Sequence, residues 1–242
     1  MTRLSVNLNK VALIRNSRGG DLPDLVQFAR DCEAYGAEGI TVHPRPDERH
    51  IRYSDVYALK EVVTTEFNIE GYPGERFMQM VLDVKPHQCT LVPDPPDVLT
   101  SDSGWDTVKH RDFLIDIVGT LQEEGIRVSL FLDPDPDLVT SAAETGADRI
   151  ELYTGDYARA YDDDRVTAVA AHIETATEAN RHHLGVNAGH DLNLDNLNFY
   201  ARSVPNLLEV SIGHALISDA LYFGIQNVIE MYLRCLTVLR SG

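Results

Sequence analysis

Cysteine is scarce and scattered. Cys32, Cys89 and Cys235 lie far apart with no CxxC pair, which supports neither a disulfide framework nor a zinc knuckle. Basic residues are also few: 21 Lys+Arg stand against 38 Asp+Glu, a formal net charge of −17. That balance argues against nucleic-acid partners and against an anionic membrane surface, since both need a basic face. No apolar run approaches the ~18 residues of a membrane span, and Met1-Thr2-Arg3-Leu4 opens no signal-peptide pattern. Low-complexity tracts and domain-separating linkers are missing too. With 43% hydrophobic residues the chain is no candidate for disorder. The expectation is a soluble, cytoplasmic, globular protein.

What is present is a repeat of strand and helix. β-rich runs fall at 3–8, 38–43, 66–70, 89–92, 127–132, 148–152, 184–187 and 208–212. Helical patterns fill the gaps, at about 23–35, 54–64, 74–84, 106–124, 136–145, 164–181, 193–202 and 218–239. Ser54 and Ser218-Asp219 read as helix starts. Tyr35-Gly36-Ala37-Glu38-Gly39-Ile40 echoes Thr145-Gly146-Ala147-Asp148-Arg149-Ile150, with each first glycine placed to end a helix. Eight strand-helix units in 242 residues predict one (β/α)8 TIM barrel spanning 1–242.

Alternation within the strands sharpens this. Val6/Leu8, Ile40/Val42, Phe67/Ile69, Ile150/Leu152 and Val210/Ile212 form apolar sides that helices must cover. The opposite sides carry Ser5/Asn7, Thr41/His43, Asn68/Glu70, Arg149/Glu151 and Glu209/Ser211, and point into the lumen. Charges there are costly unless paired or used. Pro93-Asp94-Pro95-Pro96 opens a loop running to near Trp105, placed as an active-site lid would be.

Catalytic groups of such barrels come from the C-terminal strand ends. Those ends carry Asn7 and Asn9, His43 and Arg45, Glu70, Thr100 in its loop, Asp133, Glu151, Asn187 with His190, and Gly213-His214. Three histidines, three carboxylates and an arginine on one rim make a dense acid/base set. Loops after strands 7 and 8 form the recurrent phosphate site of this fold. Arg15, Arg18, Arg45, Arg49 and His50 add cationic donors near strands 1 and 2, which suggests a small anionic substrate. A competing reading has the arginines merely neutralise neighbours such as Asp47 and Glu48.

Three stretches then become recognisable: 5–19 (SVNLNKVALIRNSRG), 39–51 (GITVHPRPDERHI) and 67–70 (FNIE). With Leu91-Val92-Pro93, Val128-Ser129-Leu130-Phe131, Ile150-Glu151-Leu152, Val186-Asn187-Ala188-Gly189-His190 and Ile212-Gly213-His214-Ala215, nearly the whole chain resembles the pyridoxine 5′-phosphate synthase family. The resemblance implies condensation of 1-deoxy-D-xylulose 5-phosphate with 3-amino-2-oxopropyl phosphate, without metal or organic cofactor, in a homo-octamer. It implies His43 and Glu70 as general bases, His190 as general acid, and Glu151 as the group that stabilises charge in transition states. Asn7, Arg18, Gly213 and His214 would hold the amino-ketone phosphate; Arg45, His50 and Thr100 would hold the sugar phosphate. Three departures stand out: Asn9-Lys10 where many relatives carry Asp-His, Asp191 where glycine commonly follows the acid histidine, and Ser218-Asp219 where some relatives have Gly-Arg. Asn9, Lys10 and the backbone N–H of Asp191 remain expected substrate contacts.

Three rivals stay open. A metal-dependent hydrolase could use His43, His50, His190 and His214, although strand 1 offers amides instead of a His-x-His pair. A lysine-imine aldolase would have to use Lys10, since Lys60, Lys85 and Lys109 lie away from the rim. A non-catalytic phosphometabolite-binding protein would need the acid/base residues to be mere ion-pair partners.

Overall fold

The computed structural model describes residues 2–93 and 103–237. Its eight strands are β1 (Arg3–Asn7), β2 (Gly39–Val42), β3 (Glu66–Gly71), β4 (Gln88–Leu91), β5 (Arg127–Leu132), β6 (Arg149–Tyr153), β7 (Gly185–His190) and β8 (Leu207–Ile212). They pair in parallel and in chain order, and β1 closes on β8 through Leu4↔Val210 to complete a barrel. The fold is a (β/α)8 TIM barrel, as the repeat predicts. The loop expected to form a lid falls largely outside the described residues, and Thr100 lies wholly outside them.

Ten helices are described: α1 (Asn9–Asn16), α2 (Leu25–Ala34), α3 (Tyr53–Lys60), α4 (Glu75–Val84), α5 (Arg111–Glu123), α6 (Val139–Glu144), α7 (Gly155–Arg181), α8 (Leu197–Ser203), α9 (His214–Phe223) and α10 (Ile225–Leu236). Gly36 (φ 104°) and Gly146 (φ 82°) do end helices in the left-handed region. Other expectations are corrected. Helix α3 begins at Tyr53, not at Ser54, because the Asp55 carboxylate accepts from the Arg52 N–H at 2.7 Å. Ser218 does not start a helix; it lies inside α9 and its hydroxyl donates to the His214 carbonyl at 2.7 Å. The single helix expected at 218–239 is two, broken at Gly224 (φ 77°). Helix α1 and the 155–163 half of α7 were not expected, since each starts within a residue or two of its strand and leaves no turn signal. Asp164 (φ −155°) interrupts α7, and its carboxylate accepts from the Val166 and Thr167 N–H groups to cap the second half.

The outward sides of the strands form the core. Leu4, Val6, Ile40, Val42, Ile69, Leu91, Leu130, Ile150, Val186, Val210 and Ile212 are fully buried under the helices. Inward sides are polar where barrels of this kind usually stack branched apolar residues. At mid-height Ser5 bonds Thr41 (2.7 Å), Asn68 donates to Thr41 (3.4 Å), and Thr90 donates to Asn68 (3.1 Å). At the N-terminal end, Glu66 accepts from Arg3 and Arg127, while Arg149 reaches Glu209 (3.8 Å), Glu66 (4.0 Å) and Asn187 (3.1 Å). Burial, followed by the charge of Glu66, pushes the Glu209 carboxyl up to about 8. The polar interior is therefore two systems: a paired floor, with Asn187 and Glu209, and an open upper layer.

His172 of α7 is buried and hydrogen-bonds Tyr200 of α8 at 2.9 Å, and burial lowers it to about 4. The unfolded chain binds this proton near 6.5 and the folded one near 4, so stability is complete above pH 6.5 and falls as pH drops toward 4. A separation of that size corresponds to a loss of about 3 kcal/mol. In His172→Asn, which keeps a polar atom near the Nδ1 position, the loss between pH 6.5 and 4 should shrink by about that amount. Denaturant unfolding across that range measures it, and an unchanged slope would rule His172 out as the source.

Candidate active site

A cavity of about 500 Å³ opens at the C-terminal mouth of the barrel. Asn7, Asn9, Lys10, Leu13, His43, Arg45, Arg49, His50, Glu70, Val92, Phe131, Glu151, His190, Asp191, Ser211, Gly213 and His214 line it. Of the thirteen site residues expected from sequence that are among the described residues, only Arg18 is absent from that wall. Arg18 sits exposed in the turn after α1. Arg15, expected as a cationic donor, is not one: its guanidinium forms a buried bidentate pair with Asp55 at 2.7 and 2.8 Å and braces α1 on α3. Asp133 instead accepts from the Gly104 N–H at 2.9 Å. Arg49 serves both readings at once, lining the cavity while its Nε donates to Asp47 at 2.7 Å.

The wall is organised by strand. From β1, Asn7 donates to Glu70 at 3.3 Å and its carbonyl accepts from the Asn9 N–H at 3.0 Å. Asn9 in turn accepts from the His43 N–H at 2.9 Å, which ties the β2 end to the start of α1. His43 is held well below its ordinary value, first by burial and then by Arg45, His50 and Arg49. It is neutral at pH 7 and so able to accept a proton. His50 is lowered to about 4 by burial, with Arg45 and Lys10 adding to the effect. Its Nδ1 accepts from the Ile51 N–H at 2.9 Å, which places the proton of the neutral ring on Nε2.

Two carboxyls stand at the centre. Glu70 is approached by Asn7 and by Ser211 (3.5 Å), and Thr90 lies 3.5 Å from Glu151. Burial, and then the negative charge of Glu70, raises Glu151 well above the usual carboxylate range. Both effects favour the protonated form of Glu151. Opposite the cationic side, Val92, Phe131 and Tyr153 form a separate apolar cluster. This wall was missed from sequence, although Phe131 and Val92 sit at the lumen-facing register of β5 and β4. Ser211 was visible there as the inward neighbour of Glu209. Among the described residues, no group of three or more His, Cys, Asp or Glu is placed to hold a metal ion.

At β7 the constraint is backbone. A Cβ on Gly189 would lie 2.3 Å from Glu151 Oε1. The Glu151 carboxylate can occupy its place only because position 189 has no side chain.

An acid/base cavity at the C-terminal mouth of a closed parallel barrel defines an enzyme of the (β/α)8 class. The chain belongs to the PdxJ family, described as "Pyridoxal phosphate biosynthesis protein PdxJ", whose sequence model matches residues 4–238. A relative from Bacteroides fragilis named pyridoxine 5′-phosphate synthase is 58% identical over 236 residues, covering 98% of this chain and 100% of its own. One of the same name from Cytophaga hutchinsonii is 57% identical over 234 residues, with 97% and 98% covered. The fold is shared with N-(5′-phosphoribosyl)anthranilate isomerase from Pyrococcus furiosus at a TM-score of 0.63, with 13% identity and 98% of each chain covered.

Gly189→Ala should push the Glu151 carboxylate by about 1 Å or more, since carbon and oxygen do not approach much below 3.2 Å without strong repulsion. A crystal structure of the variant measures this, and an unmoved Glu151 would show that the strand yields instead.

Proposed function

We propose that this chain is a pyridoxine 5′-phosphate synthase, joining 1-deoxy-D-xylulose 5-phosphate and 3-amino-2-oxopropyl phosphate into pyridoxine 5′-phosphate with release of phosphate and water. The observation that carries the reading is the convergence of His43, Glu70, Glu151 and His190 on one cavity whose other side presents Lys10, Arg45, Arg49 and His50. A cavity with cationic donors on one side and an apolar wall on the other suits two phosphorylated carbon skeletons brought together.

The chemistry needs repeated proton transfers and no covalent nucleophile. Imine formation between substrate amine and sugar ketone, phosphate elimination, ring closure and dehydration each move protons at neighbouring atoms. Neutral His43 and anionic Glu70 accept them, and His190 returns them to leaving oxygens. Glu151, at the centre of the cavity, stabilises the cationic imine character that develops there. Asn7, Gly213 and His214 hold the amino-ketone phosphate, with the Asp191 N–H beside them. Asn9, Lys10, Arg45, His50 and Thr100 hold the sugar phosphate. Arg18 joins a phosphate only if its turn moves or a neighbouring copy presents it. Lys10 lines the cavity as a fixed charge; the substrate amine already supplies the imine nitrogen.

The setting we propose is the cytoplasm, and no helix among the described residues is long and apolar enough to cross a membrane. We further propose a homo-oligomer, an octamer by family resemblance. In its support, α1 packs on α9, and the two helices leave Ile14, Leu221, Tyr222 and Phe223 exposed, with Tyr222 85% accessible. Large apolar side chains exposed on neighbouring helices suit a protein contact.

Incubating the enzyme with both phosphates and following the pyridine product by absorbance and mass tests the assignment. Glu70→Gln keeps the shape but cannot accept a proton, so turnover should fall at least ~100-fold with the melting temperature little changed. Near-normal turnover would remove Glu70 from the mechanism. Leu221→Glu with Tyr222→Glu should shift sedimentation toward the monomer, and an unchanged sedimentation coefficient would place the contact elsewhere.

A further inference from the structure

His190 and Asp191 are neighbours in a strand end, and neighbouring strand side chains ordinarily point to opposite faces. Here they meet: His190 Nδ1 lies 2.9 Å from Asp191 Oδ2. What brings them together is the backbone of His190, whose φ of 103° lies in the region that favours glycine. A non-glycine residue in this conformation costs on the order of 1–3 kcal/mol, and such strain persists where it positions functional groups. The imidazole is also braced from β6, where Tyr153 meets it edge to face with ring centroids 5.2 Å apart.

We infer that Asp191 is a positioning residue for His190: its carboxylate takes the Nδ1 hydrogen bond, fixes the orientation and tautomer of the ring, stabilises the imidazolium, and leaves the transferable proton on Nε2. This rests on the proposed role of His190 as general acid. It also revises the expectation that Asp191 serves chiefly as a substrate contact. A carboxylate beside a phosphate repels it, and pairing with an imidazolium offsets that repulsion. The Asp191 side chain is 42% exposed, yet its carboxyl lies below the usual range, first through the His190 hydrogen bond. The charged and titratable groups around the pair are Glu151 and Tyr153 on β6, Arg159 on α7 and His214 at the start of α9. Arg159 and His214 act on Asp191 in the same direction as His190 and keep it ionised.

The pairing suits the assigned work. A general acid must present its proton on the nitrogen that faces the substrate, and a carboxylate that takes the Nδ1 hydrogen bond leaves Nε2 for that transfer.

The test is Asp191→Asn, which keeps an oxygen acceptor but removes the charge, beside Asp191→Glu, which keeps the charge. Nitrogen-15 NMR of the substrate-free protein should show the neutral His190 ring carrying its proton on Nδ1 in the wild type and in the Glu variant, and a mixture of tautomers in the Asn variant. With both phosphates, kcat should fall about tenfold in the Asn variant and recover in the Glu variant, with both KM values held within about twofold. A raised KM with kcat unchanged, a loss that the Glu variant does not recover, or an unchanged His190 tautomer in the Asn variant would overturn the inference. Should the wild-type protein turn over neither phosphate, the synthase reading fails, while the NMR measurement still decides the pair.

Discussion

A parallel barrel closed around a polar lumen places a demanding constraint on everything else in this molecule. Groups facing inward lose most of their water, and each unpaired one costs about 1–3 kcal/mol. The chain meets the constraint by height. The lowest layer neutralises Glu66 with Arg3 and Arg127, and holds Glu209, pushed up to about 8, within 3.8 Å of Arg149. The middle layer is a chain of hydroxyls and amides through Ser5, Thr41, Asn68 and Thr90. Among the described residues, two buried side-chain atoms, Gln88 Nε2 and Ser129 Oγ, are without partners. Only above these layers do carboxyls and imidazoles face open space. The reactive layer stands on layers that are satisfied at all but these two atoms, which keeps its side chains from turning inward for partners.

The same stratification explains how an acidic chain presents a cationic wall. The net charge of −17 is spread along the whole chain, whereas Lys10, Arg45 and Arg49 gather within a few residues of the β1 and β2 ends. Low dielectric and proximity make these few charges dominate locally over a remote surplus of acid, which salt screens over about 10 Å. Their field also keeps His43 and His50 neutral, adding to the effect of burial. One set of residues thereby serves both anion binding and base catalysis.

Much of this was legible in the sequence because strand alternation has a short, strict period. Ser5/Asn7 against Val6/Leu8 already says which side faces helices, and strand ends then name the rim. Helix boundaries were less legible for a physical reason. Helices α1 and α9 begin at or just beyond the strand end, with Leu8 and Gly213 at the N-cap and no side-chain hydrogen bond there. Gly224 divides two helices by backbone conformation inside a continuously apolar stretch. Arg15 was misplaced because its partner, Asp55, is forty positions away and becomes a neighbour only when α1 packs near α3. The meeting of His190 with Asp191 was hidden similarly, since it depends on one left-handed residue where alternation predicts opposite faces.

The order of pairing around the barrel has a kinetic corollary. Seven of the eight strand contacts join chain neighbours, and only the β1–β8 contact, Leu4 with Val210, spans almost the entire sequence. Local strand-helix units can form with little loss of loop entropy, whereas that seam must wait for the whole chain. Asn7 and Gly213 lie on opposite sides of it, so close that a Cβ on Gly213 would meet Asn7 at 3.1 Å. Asn7 in turn holds Glu70. The reactive centre is thus assembled across the last junction to close, and a nascent or partly folded chain has no complete centre to misuse.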